Sequence, residues 1–95
     1  MSVNPKTQHE ISKKMYLSLE HQYNSDILSA ESSLHIYFNN LSVSKENTSH
    51  FEEMDKLIDE VAFAQKKLDI LQQKFSKYNS IYVPPINHEY RRASP

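Results

Sequence analysis

The sequence predicts an all-α protein in which two long helices form a helical hairpin or a bent rod. Three observations support this fold class. The 95 residues include no glycine, whereas average usage would supply about seven, and tight turns between strands depend on glycine. Apolar residues recur every three or four positions over two long stretches, which is the spacing of a helical face. The pair Pro84-Pro85 cannot continue a helix and closes the second stretch.

The first helix is predicted over residues 7–44, after a disordered N-terminus of residues 1–6. Thr7 and Glu10 have the spacing of a capping box, in which the hydroxyl and the carboxylate satisfy backbone N–H groups of the first turn. An apolar stripe follows, made of Ile11, Met15, Leu19, Tyr23, Ile27, Ala30, Leu34, Tyr37 and Leu41. Its first steps are all of four residues, so the stripe drifts around the helix before threes and fours alternate.

A polar break over residues 45–49 is predicted to separate the two helices. Similar helix lengths favour a hairpin, whereas a polar segment without glycine or proline leaves a bend open. The second helix is predicted over residues 50–82, with Ser49 and Glu52 as another capping box. Acidic residues near its start and lysines near its end complement the helix dipole. Residues 83–95 are predicted to be a disordered, proline-containing tail.

The second helix carries an uninterrupted heptad seam. With Met54 at position a, the a and d positions hold only apolar or aromatic residues, namely Met54, Leu57, Val61, Ala64, Leu68, Leu71, Phe75, Tyr78 and Tyr82. A repeat every 3.5 residues predicts a left-handed coiled coil. All of these except Tyr82 are predicted to form a partner interface, together with Ile27, Leu34 and Leu41 of the first helix. An amphipathic helix in an ordinary bundle is the alternative interpretation.

Apolar residues also stand away from the seam on both helices. Phe63 and Ile70 occupy c positions of the second helix, and Ile36 and Val43 occupy c positions of the first when Ile27 is a. Scattered exposed apolar residues are normal in folded proteins, which is the ordinary interpretation. Because these four share one heptad position, they also indicate a second interface.

A lone hairpin of these two helices is expected to be poorly folded. The seam offers little apolar burial to offset the backbone entropy lost when two long helices become ordered. Engaging both apolar faces requires further helices, either from copies of this chain or from other subunits. We therefore expect the protein to belong to an assembly.

No pattern in the sequence indicates a catalytic or cofactor site, so the protein is expected not to be an enzyme and to hold no cofactor. The chain has no cysteine, which excludes disulfides, thiol catalysis and cysteine–zinc sites. Its histidines are never three or four residues apart, as two metal ligands on one helical face would be. They are His9, His21, His35, His50 and His88. A formal net charge of −1 gives no reason to expect nucleic acid as a partner, and no small-molecule substrate is expected.

The sequence also predicts a cytoplasmic location. No apolar run approaches the roughly 18 residues that span a bilayer, and the first residues do not have the pattern of a secretory signal. Membrane contact is therefore expected to be at most indirect. In the tail, Arg91-Arg92-Ala93-Ser94 matches the pattern of basophilic kinases and Ser94-Pro95 that of proline-directed kinases. Ser94 is thus a candidate phosphorylation site, although such short matches often arise by chance.

Residues 51–85 combine an aromatic residue near the start, Phe51, with the heptad segment DILQQKFSKYN and the element SIYVPP after it. This combination resembles the small helical subunits of the biogenesis of lysosome-related organelles complex 1, and snapin-like chains in particular. The resemblance implies a coiled-coil subunit without enzymatic activity, bundled with other small helical chains in a hetero-oligomer. It further implies a role in endosomal or lysosomal trafficking, with peripheral attachment to endosomes.

Two other functions are consistent with the same pattern. Small subunits of the outer-kinetochore ring complex, which couples chromosomes to microtubules, are likewise short, glycine-poor and helical. A membrane-surface amphipathic adaptor is the other alternative. The second helix argues against the adaptor, because acidic and basic residues alternate along its polar face, whereas interfacial helices present a basic one.

Overall fold

A computed structural model describes residues 3–40 and 47–84 of the chain. These ranges form two long α-helices, α1 (Pro5–Asn39) and α2 (Asn47–Phe75), followed by a short 3-10 helix (Ser76–Asn79). They contain no strand, and α1 packs against both α2 and the 3-10 helix. The predicted all-α class is confirmed, and of the two predicted arrangements the hairpin is the one that forms.

The two helices run antiparallel. As residue numbers increase along α1, the residues that they contact in the second half of the chain have decreasing numbers. In that order the contacts are His9 with Ser80, Glu20 with Gln72, Tyr23 with Lys67, and Tyr37 with His50. The first pair marks the end of the hairpin at which both chain termini emerge, here called the open end, and the last pair lies toward the connected end.

The start of α1 differs from the predicted capping box. Asn4 is the N-cap, and its side-chain oxygen accepts a hydrogen bond from the backbone N–H of Thr7 at 2.8 Å. Pro5 occupies the first helical position, where its missing N–H costs no hydrogen bond and its fixed φ suits the helix. Thr7 therefore lies inside the first turn, and the predicted box of Thr7 with Glu10 does not form.

The break between the helices begins earlier than predicted. α1 ends at Asn39 with Asn40 as an extended C-cap, not at residue 44, because asparagine side chains compete with the helix for local backbone hydrogen bonds. α2 begins at Asn47, two residues before the predicted cap Ser49. Leu41 and Val43 lie outside the described residues.

The end of α2 also departs from the prediction. After Phe75 the chain tightens into the 3-10 helix, which has three residues per turn, so the heptad spacing stops there and not at residue 82. The Ser80 hydroxyl donates to the Lys77 carbonyl at 2.7 Å and closes this turn. Tyr82 lies beyond it, half-buried, with its ring edge-on to His9 at 5.6 Å.

The hairpin has a narrow core. Among the described residues, those that are buried are Tyr16, Ala30, Ala64, Leu68 and Leu71. Half-buried residues at heptad positions extend this line along both helices, and they include Met54, Leu57 and Val61 on α2. The α2 seam therefore faces α1. Residues at the a and d positions form a stripe that can contact a neighbouring helix over many turns.

The inner face of α1 corrects part of the predicted stripe. Buried and half-buried residues follow a three-four alternation along the whole helix, through His9, Lys13, Tyr16, Glu20, Tyr23, Ile27, Ala30, Leu34 and Tyr37. Ile11, Met15 and Leu19, predicted to lie on this face, are exposed. Successive steps of four advance about 400° around the helix, so residues spaced in this way cannot stay on one straight seam.

Candidate partner-binding site

The predicted partner interface lies largely between the two helices of this chain. Ala64, Leu68 and Leu71 are buried there, and Ile27 and Leu34 of α1 are half-buried with Met54, Leu57 and Val61 of α2. Toward the open end Phe75 and Tyr78 remain exposed. The hairpin thus uses most of the seam internally, and contact of these residues with another chain stays a prediction.

The predicted second interface is exposed where the structure describes it. Phe63 and Ile36 keep about two thirds of their surface accessible, at 66% and 69%, and Ile70 keeps 41%. Val43 and the candidate phosphorylation site Ser94 lie outside the described residues. The c positions are therefore open to solvent, but they do not form one continuous patch, because Ile36 lies toward the connected end and Ile70 toward the open end.

An apolar groove lies between α1 and α2 in the open half of the hairpin. Its volume is about 470 Å³. The lining residues are Ser12, Met15, Tyr16, Leu19 and Tyr23 of α1, Lys67, Ile70, Leu71 and Phe75 of α2, and Tyr78 of the 3-10 helix. The buried residues Tyr16 and Leu71 form its base, and the exposed ones form its walls.

Heptad geometry explains why both helices contribute to this groove. When the lettering of α1 is continued back from Ile27, Met15 falls at c and Leu19 at g, as Ile70 and Lys67 do on α2. Two antiparallel helices are related by a twofold axis perpendicular to the plane that contains them. Residues with the same letter therefore lie on the same side of the hairpin, here called the c/g side.

The sequence itself contains a signal for this register, although apolar spacing alone points to a different one. The alternating half of the α1 stripe, from Ile27 to Tyr37, fixes the heptad register for the whole helix. Carried back to the N-terminal half, it puts Glu20 and Lys13 at a. Both side chains are charged, so an apolar count favours Met15 and Leu19 for the seam. The structure instead places these two apolar residues in the groove with Ile70.

The α2 side of the groove carries positive charge. Lys67 is the charged residue among those that line it, and its Nζ lies 5.8 Å from the Tyr23 ring centroid, within cation–π range. Lys74 stands one heptad further along the same side of α2. No described carboxylate forms an ion pair with either lysine. The nearby Glu20 carboxylate accepts a hydrogen bond from Gln72, an e residue on the opposite side of α2.

Tyr16 provides an aromatic base with a neutral hydroxyl. Burial raises the pKa of this phenol above its ordinary value, and the negative charge of Glu20 raises it further. Both effects disfavour the phenolate. The base of the groove is therefore aromatic and uncharged at Tyr16, which suits the binding of an apolar surface.

The opposite side of the hairpin, at the b and e positions, also exposes large apolar residues. They are Leu17, Leu28 and Phe38 of α1, and Phe51 and Ile58 of α2. Phe38 and Phe51 both lie toward the connected end, and Phe51 keeps 73% of its surface accessible. The hairpin consequently presents apolar side chains on two sides, and the groove lies on the c/g side.

The part of the chain that the structure describes contains neither a membrane-spanning helix nor a cluster of metal-ligating side chains. None of its helices is long and apolar enough to cross a membrane. In the same residues no three His, Cys, Asp or Glu side chains group closely enough to hold a metal ion. Of the histidines, His9 is engaged in the fold, with its Nε2 at 2.7 Å from the Ser80 carbonyl oxygen.

Comparison with known proteins found no relative of this chain. The chain matches no protein-family model, no curated protein and no solved structure. The function is therefore interpreted from the geometry of the hairpin itself, and the similarity of residues 51–85 to snapin-like chains stays a prediction.

Proposed function

We propose that this protein is a non-enzymatic structural subunit that contributes a helical hairpin to a larger bundle of small helical chains. One observation carries the proposal. The hairpin exposes large apolar side chains on both sides, among them Met15, Phe63 and Ile70 on the c/g side and Phe38 and Phe51 on the other. Helices that are apolar beyond a single stripe belong in structures where they have several neighbours.

The shape of the core supports this proposal. Two helices form one layer, and one layer can cover only the seam where they touch. In a four-helix bundle each helix contacts two neighbours, so residues beside the a and d positions also become buried. The apolar c and g residues of this hairpin stand where a second pair of helices would pack.

The resemblance to the lysosome-related organelle complex guides the choice of cellular role. We propose a hetero-oligomeric complex of that type, acting in the cytoplasm in endosomal or lysosomal trafficking. The elements that support this choice are the uninterrupted seam of α2 and the SIYVPP element that follows its end. No nucleic acid, cofactor or small-molecule substrate is part of the proposal.

Purification of the tagged full chain from its native cells, with mass spectrometry of the bound proteins, tests this function. Small helical subunits of an endosomal complex, recovered in fixed stoichiometry, are the expected result. Recovery of outer-kinetochore ring subunits would replace trafficking by the kinetochore alternative. Flotation of the purified chain with liposomes, without any bound protein, would favour the membrane-surface adaptor.

A matched pair of variants connects the result to the exposed apolar residues. Phe63→Asp combined with Ile70→Asp is expected to release at least one partner. Gln73→Asp introduces a carboxylate at a nearby exposed position of α2 that borders neither side, so it should retain every partner. A wild-type chain that binds no protein and melts cooperatively as a monomer would refute the subunit proposal.

A further inference from the structure

We infer that the groove on the c/g side binds an amphipathic helix of a different protein, with an apolar ridge flanked by carboxylates. The inference rests on the proposed function, and it specifies the chemistry of one partner. It is based on three properties of the described residues: the dimensions of the groove, its exposed apolar walls and the positive charge at its border.

The dimensions of the groove fit one helix. Its α1 wall extends from Ser12 to Tyr23, which corresponds to about 16 Å at 1.5 Å per residue, or about three helical turns. A helix laid in such a groove presents anchors at i, i+4 and i+7 over that distance. The volume of about 470 Å³ is sufficient for several large side chains, such as leucines.

The walls of the groove are apolar and uncovered. Met15 keeps 63% of its surface accessible, and Leu19, Ile70 and Phe75 each keep more than two fifths. Single exposed apolar residues need no explanation, but a group of four around one concavity is typical of a surface that another molecule covers.

The border of the groove selects an acidic partner. Lys67 and Lys74 lie on its α2 side without a carboxylate partner among the described residues, and Glu20 is hydrogen-bonded on the opposite side. Carboxylates beside the ridge of an incoming helix would meet these two lysines. Charge complementarity of this kind accelerates association and discriminates against partners of the same charge.

A second copy of this chain does not satisfy the same requirement. Two copies that pack α2 on α2 about a twofold axis would place Lys67 and Lys74 against their own equivalents. Two copies that pack α2 on α1 would place these lysines against a wall whose lining residues include no carboxylate. The tail of this chain is also a poor occupant, because Arg91 and Arg92 accompany its single carboxylate side chain, Glu89. A separate acidic helix is therefore the occupant that fits both the shape and the charge.

Two synthetic hydrocarbon-stapled peptides test the inference. Both carry leucines at i, i+4, i+7 and i+11, and they differ only in the flanking residues, which are glutamates in one peptide and lysines in the other. Fluorescence anisotropy with the full chain at low salt is expected to show binding about tenfold tighter for the glutamate peptide. The ratio should decrease as salt screens the exposed charges.

Variants of the full chain localise the binding. Met15→Asp should abolish binding of the glutamate peptide, whereas Ile58→Asp, on the opposite side of the hairpin, should leave it unchanged. Lys67→Glu combined with Lys74→Glu should reverse the preference in favour of the lysine peptide. Because both lysines are exposed, this double variant is expected to keep the circular dichroism of the parent and remains informative if Met15→Asp unfolds.

Several results would overturn the inference. Equal affinities for the two peptides would show that the partner need not be acidic. A preference unaffected by the double lysine variant would show that the peptide does not bind in the groove. A parent dimer that Met15→Asp converts into monomers would identify the occupant as a second copy. Tighter peptide binding after truncation behind Pro84 would identify it as the tail.

The two proposals can fail separately. If the tagged chain recovers helical partners and both groove variants retain all of them, the groove assignment fails and the subunit function stands. If the glutamate peptide binds in the groove but no helical partner is recovered from cells, the subunit function fails and the groove assignment stands.

Discussion

The two helices of the hairpin meet the same structural requirement with different residues. The inner face of α2 is apolar in every heptad, from Met54 to Leu71, whereas the inner face of α1 includes His9, Lys13 and Glu20. On α1, apolar residues such as Met15 and Leu19 lie instead on the c/g side, where they line the groove. α2 therefore supplies most of the apolar core of the hairpin, whereas α1 presents several of its apolar residues to solvent.

The polar residues on the inner face of α1 are not without compensation. His9 contacts the Ser80 carbonyl and the ring of Tyr82, and Glu20 accepts a hydrogen bond from Gln72. Such bonds contribute about 0.5–1.5 kcal/mol each, less than a buried leucine does. They stabilise the open end of the hairpin, while the apolar residues of the c/g side stay exposed.

The largest expected change in the free energy of unfolding is at the α2 seam. Leu68→Ala should lower the free energy of unfolding by about 2–5 kcal/mol, because Leu68 is 7% exposed and truncation leaves a cavity. The matched variant on α1, Met15→Ala, should change it by no more than about 0.5 kcal/mol, since that side chain is largely in solvent. Urea unfolding followed by circular dichroism, in trimethylamine N-oxide to favour the folded hairpin, measures both.

A smaller effect concerns the closest approach of the helices. Ala30 and Ala64 are 3% and 4% exposed, so a larger side chain at either position must push the helices apart. Ala64→Leu should cost about 1–3 kcal/mol by overpacking, measured by the same urea titration. Ala62→Leu at an exposed position of α2 is the control, and an equal cost for both variants would contradict the tight packing.

The N-terminus of α1 offers a sharper test of how this helix begins. Asn4→Ala should cost about 1 kcal/mol, because it removes the oxygen that accepts the Thr7 backbone N–H. Thr7→Ala should cost less, since the Thr7 side chain is not the cap. A larger loss for Thr7→Ala than for Asn4→Ala, in melting temperature by circular dichroism, would restore the capping box.

The smallest effect is a decrease in stability at alkaline pH. Burial, and then Glu20, raise the pKa of Tyr16 in the folded state above its value of 10.0 in the unfolded chain. The folded state then holds the proton more tightly, so the stabilisation is complete below about pH 10 and is lost as the pH rises through the folded-state value. In Tyr16→Phe this part of the pH dependence should be absent from thermal melts between pH 9 and 11.

Much of the fold could be predicted because it depends on local pattern. The absence of glycine and the unbroken seam of α2 indicate long helices, and Pro84 and Pro85 limit the second one. The helix ends were predicted less well, because several residues near each end can cap a helix. Thr7 and Asn4 both have a side-chain oxygen that can cap the helix, and the outcome depends on which oxygen can reach an unpaired backbone N–H group when Pro5 holds the first helical position.

The groove was only partly predictable. Phe63 and Ile70 were identified as apolar residues away from the seam, but Met15 and Leu19 were assigned to the seam itself. Apolar spacing alone favoured them over Lys13 and Glu20. In the packed hairpin α1 contacts α2 along a straight line. The inner face of α1 tolerates charged residues on this line when their charged ends reach solvent or a hydrogen-bond partner.

By itself the sequence determined that the chain is helical, where α2 has its apolar seam, and that more apolar residues exist than one seam can bury. These properties follow from side-chain periodicity within a single helix. Only the tertiary structure decided that the helices form a hairpin, in which register they pair, and that Met15, Leu19 and Ile70 share one groove. Those properties depend on contacts between residues distant in the chain, and such contacts exist only once two helices have packed against each other.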